Sequence, residues 1–159
     1  MNVRRDHVTV FVARPSAASH ELLQLRRTPG DYLGGTWQTV RGSSESDETA
    51  IETALRELRE ETGLTPVEFY SLGIVESFFI AKLDTLWHSP AFIAIVAPDA
   101  PITLDAEHDA FRWIALADAD ERFMWASERP LLDVIRRVIL GEAHHPAKEH
   151  LAIPLPRND

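Results

Sequence analysis

The chain has 159 residues, enough for one domain with a full core, and 45% hydrophobic with 26% charged residues is ordinary for a soluble globular protein. A formal net charge of −9 argues against sequence-independent nucleic-acid binding, which needs a basic surface, but not against a small phosphorylated ligand whose charge a metal ion offsets. With no cysteine there is no disulfide, thiolate metal site or cysteine nucleophile, and no stretch approaches the roughly 20 apolar residues of a membrane span. The run Val8–Ala13, closed by Arg14 and Pro15, reads as a first strand rather than a signal segment, so the expected home is the cytoplasm.

In chain order, His7–Ala13 and Glu21–Arg27 are expected as strands around a Pro15–Ser19 turn. Thr28–Thr36, with Pro29, Gly30, Gly34 and Gly35, is a loop leading into a strand at Trp37–Arg41. A helix is predicted from about Asp47 to Thr62. Ser44, Ser46 and Asp47 are its candidate N-caps, Ile51, Ala54, Leu55 and Leu58 its apolar stripe, and Gly63 with Pro66 its stop. Val67–Ala81 suits one bent strand or two, Ala91–Ala97 a buried strand, and Phe111–Ile114 a short strand. Ala117–Phe123 reads as a short helix, and Leu131–Leu140, after Pro130, as a last helix ending near Gly141. Residues 1–143 form one expected domain. The tail at 144–159, which carries His144 and His145, is either loose or laid across it.

The chemistry concentrates in the helix. Glu57, Glu60 and Glu61 fall at helical spacing and share about a third of its circumference. Three like charges so placed weaken a helix unless a cation sits among them, and hard divalent ions take oxygen ligands of this kind. Spacing alone also suits a solvated helix with ion pairs such as Glu52–Arg56 and Arg56–Glu60. Gly42, at the end of the preceding strand, lets a backbone carbonyl approach such an ion closely.

Gly42, Glu48, Arg56, Glu57, Leu58, Glu60, Glu61, Gly63 and Leu64 fill, without insertion, every fixed position of the Nudix box, and over Trp37–Leu64 the chain resembles the Nudix hydrolases. The resemblance implies an α/β (α+β) fold, the Nudix α/β/α sandwich with a mixed central sheet. It also implies Mg²⁺ or Mn²⁺ bound by Glu57, Glu60 and Glu61 with the Gly42 carbonyl, and Arg56 and Glu48 in support. The implied reaction is attack of a metal-activated water on a diphosphate. Glu107, in the polar loop before Phe111, resembles the extra catalytic glutamate of some members, with a solvated loop acid as the equal alternative. His108 is expected at the surface, and Glu76 is either a third candidate base or a solvent-facing strand residue.

Arg26, Arg27 and Arg41 match phosphate geometry, and Arg41, beside the box, is the expected substrate contact. Tyr32, Phe79 and Trp87 suit either stacking on a flat ring or ordinary packing. The Trp37-Gln38 entry and the Glu107-His108…Arg112-Trp113 segment resemble the branch acting on dATP and dihydroneopterin triphosphate, which implies a nucleoside or pterin triphosphate as substrate. Nucleotide sugars and dinucleoside polyphosphates are the alternative. The intact box stands against a metabolite-sensing module, and the missing cysteine against an isopentenyl-diphosphate isomerase. The expected partners are small molecules, with no nucleic acid or membrane and with a homodimer possible.

Overall fold

The computed structural model describes residues 1–157. Its layering follows from strand β2 (His7–Pro15), where Val8, Val10 and Val12 face one side of the sheet and Phe11 and Ala13 the other, all buried. A strand apolar on both faces belongs in a sheet covered on both sides. β1 (Asn2–Arg4), β3 (His20–Arg27), β4 (Trp37–Gln38), β5 (Val40–Ser43), β6 (Glu68–Ile80), β7 (Thr85–Ile95) and β8 (His108–Ala115) complete an eight-stranded mixed sheet. β2 runs antiparallel to β3 and β5 and parallel to β7. β8 and β4 flank β3, while β6 pairs along most of β7 and β1 joins the start of β7 in parallel.

Helix α1 (Ala50–Thr62) covers one face, placing Ala54 and Leu58 among Val8, Val10, Val12, Leu25 and Val40. The short α2 (Ala119–Arg122) and α3 (Arg129–Val134) cover the other. α3 continues as a π-helical stretch, Ile135–Ile139, and Leu131, Leu132, Ile135 and Ile139 pack there against Phe11, Leu22, Leu72 and Ile93. The result is the expected sandwich. No helix of the described residues is long and apolar enough to cross a membrane.

Several boundaries differ from expectation. The N-cap of α1 is Thr49, not Ser44, Ser46 or Asp47, because Thr49 and Glu52 form a reciprocal capping box with N···O distances of 3.2 and 2.8 Å. Asp47 takes a positive φ of 67° and cannot be helical. Ile51 is 39% exposed and lies off the buried stripe. Where Val67–Ala81 suited one bent strand or two, the structure has the single strand β6 (Glu68–Ile80), bent at Gly73, whose φ of 68° lets the register shift without ending the pairing. β7 begins six residues before Ala91, at Thr85, where Thr85, His88 and Ser89 had masked the apolar run. β1 is too short for periodicity to reveal. The tail carries α4 (Ala147–Leu151) and then lies on the domain: the Ile153 amide donates to the Phe69 carbonyl at 2.8 Å, and Ile153 and Leu155 pack against the α1-side core. Residues 158 and 159 of the tail lie outside the described residues.

Candidate active site

Neighbouring residues of a strand face opposite sides of the sheet, and β5 uses this to separate two polar systems. Gly42, paired with Val8, faces α1, whereas Arg41, paired with Thr9, faces α3. On the α1 side, a Cβ at position 42 would overlap the Glu57 carboxylate. The Glu57 carboxyl group is therefore seated on the Gly42 backbone, in space that only glycine leaves free.

Arg56 organises this corner. Its Nε and Nη2 donate to the two oxygens of Glu48 at 2.7 and 3.0 Å, and Nη2 also donates to the Ser43 carbonyl at 2.9 Å. Its Nη1 reaches Glu57 Oε1 at 2.9 Å and Glu60 Oε2 at 3.1 Å. One planar guanidinium thus ties the chain after Gly42 to the acidic face of α1. The Arg56 hydrogen bond and the Glu45 amide hold the Glu48 carboxyl down at about 2. The expected Arg56–Glu60 pair is present, while Glu52 is taken by the cap.

Glu61, 3% exposed, is the buried member of the triplet. Its Oε2 has no hydrogen-bond partner among the described residues. Burial pushes its pKa well above the usual carboxylate range, and the charges of Glu57, Asp105 and Glu107 push it further. Burial likewise raises Glu57, against the pull of Arg56. Among the described residues no three acidic or imidazole groups converge tightly enough to define an ion cage, since Glu57 and Glu60 are turned toward Arg56. The donor set still suits a hard divalent cation. It is all oxygen and lies on one helix face, and it contains a buried carboxylate oxygen without a partner.

Glu107 is exposed, directly precedes β8, and acts electrostatically on both Glu57 and Glu61. The structure therefore brings it to the acidic face. His108 corrects the expectation of a surface histidine: its side chain is 3% exposed, and Nδ1 contacts Asp105 Oδ1 at 2.8 Å. β8 begins at His108, and pairing with Arg27 draws the ring inward.

Arg41 lies on the other face. Its Nη1 donates to Thr9 Oγ1 and Glu76 Oε2 at 3.0 and 2.7 Å, and its Nη2 to Glu76 Oε1 and Glu128 Oε1, both at 3.0 Å. All four terminal N–H groups are committed, which leaves that end of the guanidinium nothing to offer a phosphate. Glu76, expected as a base or a solvent-facing residue, is 2% exposed and is the anion of this network, with Ser127 Oγ donating to it at 2.7 Å. Arg41 holds Glu76 below its ordinary pKa despite burial, whereas burial leaves Glu128 raised.

A cavity of about 490 Å³ opens beside this network. Tyr32, Phe78, Phe79, Trp87 and Trp125 give it aromatic walls, and Arg27, Gln38, Arg41, Glu76 and Ser127 give it polar ones. Arg27 connects the two systems, because it lines the cavity while its charge favours ionised Glu61. Tyr32, Phe79 and Trp87, left open by the sequence, all reach this cavity. Phe78, Trp125, Ser127 and Glu128 had no sequence signal. Only the crossing of β6 with the start of α3 brings them together.

The family model described as NUDIX domain matches residues 3–135. An octanoyltransferase from Myxococcus xanthus is 36% identical over 117 residues, 72% of this chain but 32% of that protein. An asymmetrical bis(5'-nucleosyl)-tetraphosphatase from Mus musculus is 33% identical over 104 residues, 62% of this chain and 67% of the relative. The chain thus spans about a third of one of these relatives and two thirds of the other. The crystal structure of a NUDIX hydrolase, so named provisionally, from Listeria monocytogenes superposes with a TM-score of 0.67 at 27% identity, covering 83% of this chain and 92% of that one.

Proposed function

The chain belongs to the Nudix family, and on that premise we propose that it is a divalent-metal-dependent hydrolase that cleaves a phosphoanhydride bond of a nucleoside polyphosphate. The observation that carries this reading is the pairing of Glu57, seated on the Gly42 backbone, with buried Glu61 on the same helix face, whose Oε2 has no partner among the described residues. Glu57, Glu60 and Glu61, with the Gly42 carbonyl, would hold Mg²⁺ or Mn²⁺, which when bound supplies charge neutralisation for the phosphates and a more acidic water. Arg56 orients Glu57 and Glu60 and fixes the backbone at Ser43. Glu107 accepts the proton of the attacking water, and Arg27, rather than the committed Arg41, meets the phosphate chain. The aromatic cavity takes the flat ring.

For the ring and phosphate number, a nucleoside triphosphate cleaved to monophosphate and pyrophosphate is the first reading. The named tetraphosphatase relative supports a second, dinucleoside polyphosphates. The relatives lend no support to the narrower dATP and dihydroneopterin-triphosphate branch. Isothermal titration of Mg²⁺ and Mn²⁺ into wild type, Glu60→Gln and Glu61→Gln tests the metal assignment. Loss of binding in either variant with an unchanged circular dichroism spectrum is the expected result, and wild-type affinity in both variants would remove the triplet from the reading.

A further inference from the structure

We propose that His108 and Asp105 are positioning residues, whose contact holds the Glu107 loop against the acidic face of α1. The loop is tied at every side. Thr103 N donates to Thr62 O at 2.9 Å, fixing its start to the end of α1. Thr28 N donates to Glu107 O at 2.9 Å, and Thr28 Oγ1 to Ala106 O at 3.1 Å, fixing its crown to the chain after β3. Inside the turn, His108 Nδ1 meets Asp105 Oδ1 at 2.8 Å, and the imidazole is 3% exposed against 25% for Asp105.

Every backbone tether holds a carbonyl or amide, and none touches the Glu107 carboxylate, which is exposed. Among the described residues the His108–Asp105 contact is the side-chain bond across this turn, and the β-bulge at Arg26–Arg27 lets β8 start there in register with Arg27. A buried polar ring whose sole hydrogen-bonded partner among the described residues is a loop carboxylate fixes the turn's curvature, and with it the direction in which Glu107 leaves the backbone. His108 acts through Glu107 and touches no reacting atom. The inference rests on Glu107 being the proton acceptor proposed above.

The test combines kinetics with a substrate-free readout. His108→Phe keeps the ring volume and loses the donor, and His108→Asn restores a donor near the Nδ1 position. With Mg²⁺ and either a nucleoside triphosphate or diadenosine tetraphosphate, His108→Phe is expected to lower kcat about ten- to a hundredfold, as a misplaced catalytic group does, with KM little changed. His108→Asn should recover most of the loss, and His108→Phe should have no further effect in a Glu107→Gln background. Amide hydrogen exchange at Thr28, whose N–H is held by Glu107, should quicken about five- to tenfold in His108→Phe, the weight of roughly one hydrogen bond. Equal losses in the wild-type and Glu107→Gln backgrounds would overturn the inference, as would unchanged kcat or unchanged exchange at Thr28. If the wild-type protein cleaves neither substrate, the functional reading fails, while the Thr28 exchange still decides whether His108 holds the loop.

Discussion

The carboxyl group of Glu57 occupies the space that a side chain at residue 42 would need, so a strand residue and a helix residue share one position across the site. Gly42→Ala is therefore expected to displace Glu57 from the backbone and from its Arg56 contact. Metal-dependent turnover should fall at least a hundredfold, the scale of a misplaced catalytic group. The helix itself, held by its own capping box, should persist. Steady-state kinetics beside a far-ultraviolet circular dichroism melt checks this.

Glu61 sets activity against stability. Its folded pKa lies above the unfolded value, so it stabilises the fold below the usual carboxylate range and withdraws that contribution as pH rises through the folded pKa. Metal-free protein should therefore gain stability from this group as pH falls from 8 toward 5. Glu61→Gln should remove that dependence and raise Tm at pH 8 by roughly 2–8 °C, the equivalent of about 1–2 kcal/mol for a buried unpaired group in a protein of this size. The same substitution should abolish turnover. Scanning calorimetry across pH in EDTA checks the stability arm.

Arg41 is held inside the buried network, and its removal tests that role. As the cation between buried Glu76 and Glu128, its removal leaves two buried carboxylates unpaired. Arg41→Met should then cost about 3–5 kcal/mol of stability, as removal of one partner from a buried pair does. A Tm unchanged from wild type with only a raised KM would instead return Arg41 to the phosphate contact expected from its place beside the box. The sign for its partner is opposite to that of Glu61: Glu76 is held below its ordinary pKa, so its contribution is present above the unfolded value and is lost as pH falls through the folded one.

Arg27 lines the cavity and favours ionised Glu61, and its Nε is buried without a partner among the described residues. Arg27→Ala is expected to raise KM for a nucleoside polyphosphate about tenfold, the loss of one charge-assisted contact, with Tm within a few degrees of wild type. Initial-rate kinetics over a substrate series distinguishes this from a loss of kcat.

The sequence was most legible where chemistry and local structure obey one short-range rule. Glu57, Glu60 and Glu61 lie on one helix, so helical spacing alone puts them on one face, while Gly42 and Arg56 sit close to them in sequence, at the preceding strand end and on the same helix. The helix start is not legible in the sequence because Ser44, Ser46, Asp47 and Thr49 are all cap residues, and only the reciprocal bond with Glu52 selects Thr49. Arg41, Glu76 and Glu128 were not legible as a unit, since their contacts span 35 to 87 positions and depend on strand pairing and on where α3 begins. The burial of His108 is hidden for a related reason: a histidine beside two acids reads as solvated until the pairing of β8 with β3 turns it inward.

The most direct test of the central claim is hydrolysis by the purified protein with Mg²⁺ or with EDTA. The panel should hold nucleoside triphosphates, diadenosine tetraphosphate, nucleotide sugars and dihydroneopterin triphosphate, with products separated by ion-exchange chromatography. The account requires phosphoanhydride cleavage that depends on metal and is lost in Glu60→Gln. No cleavage of any member by protein with metal bound, or equal cleavage in EDTA, would contradict it.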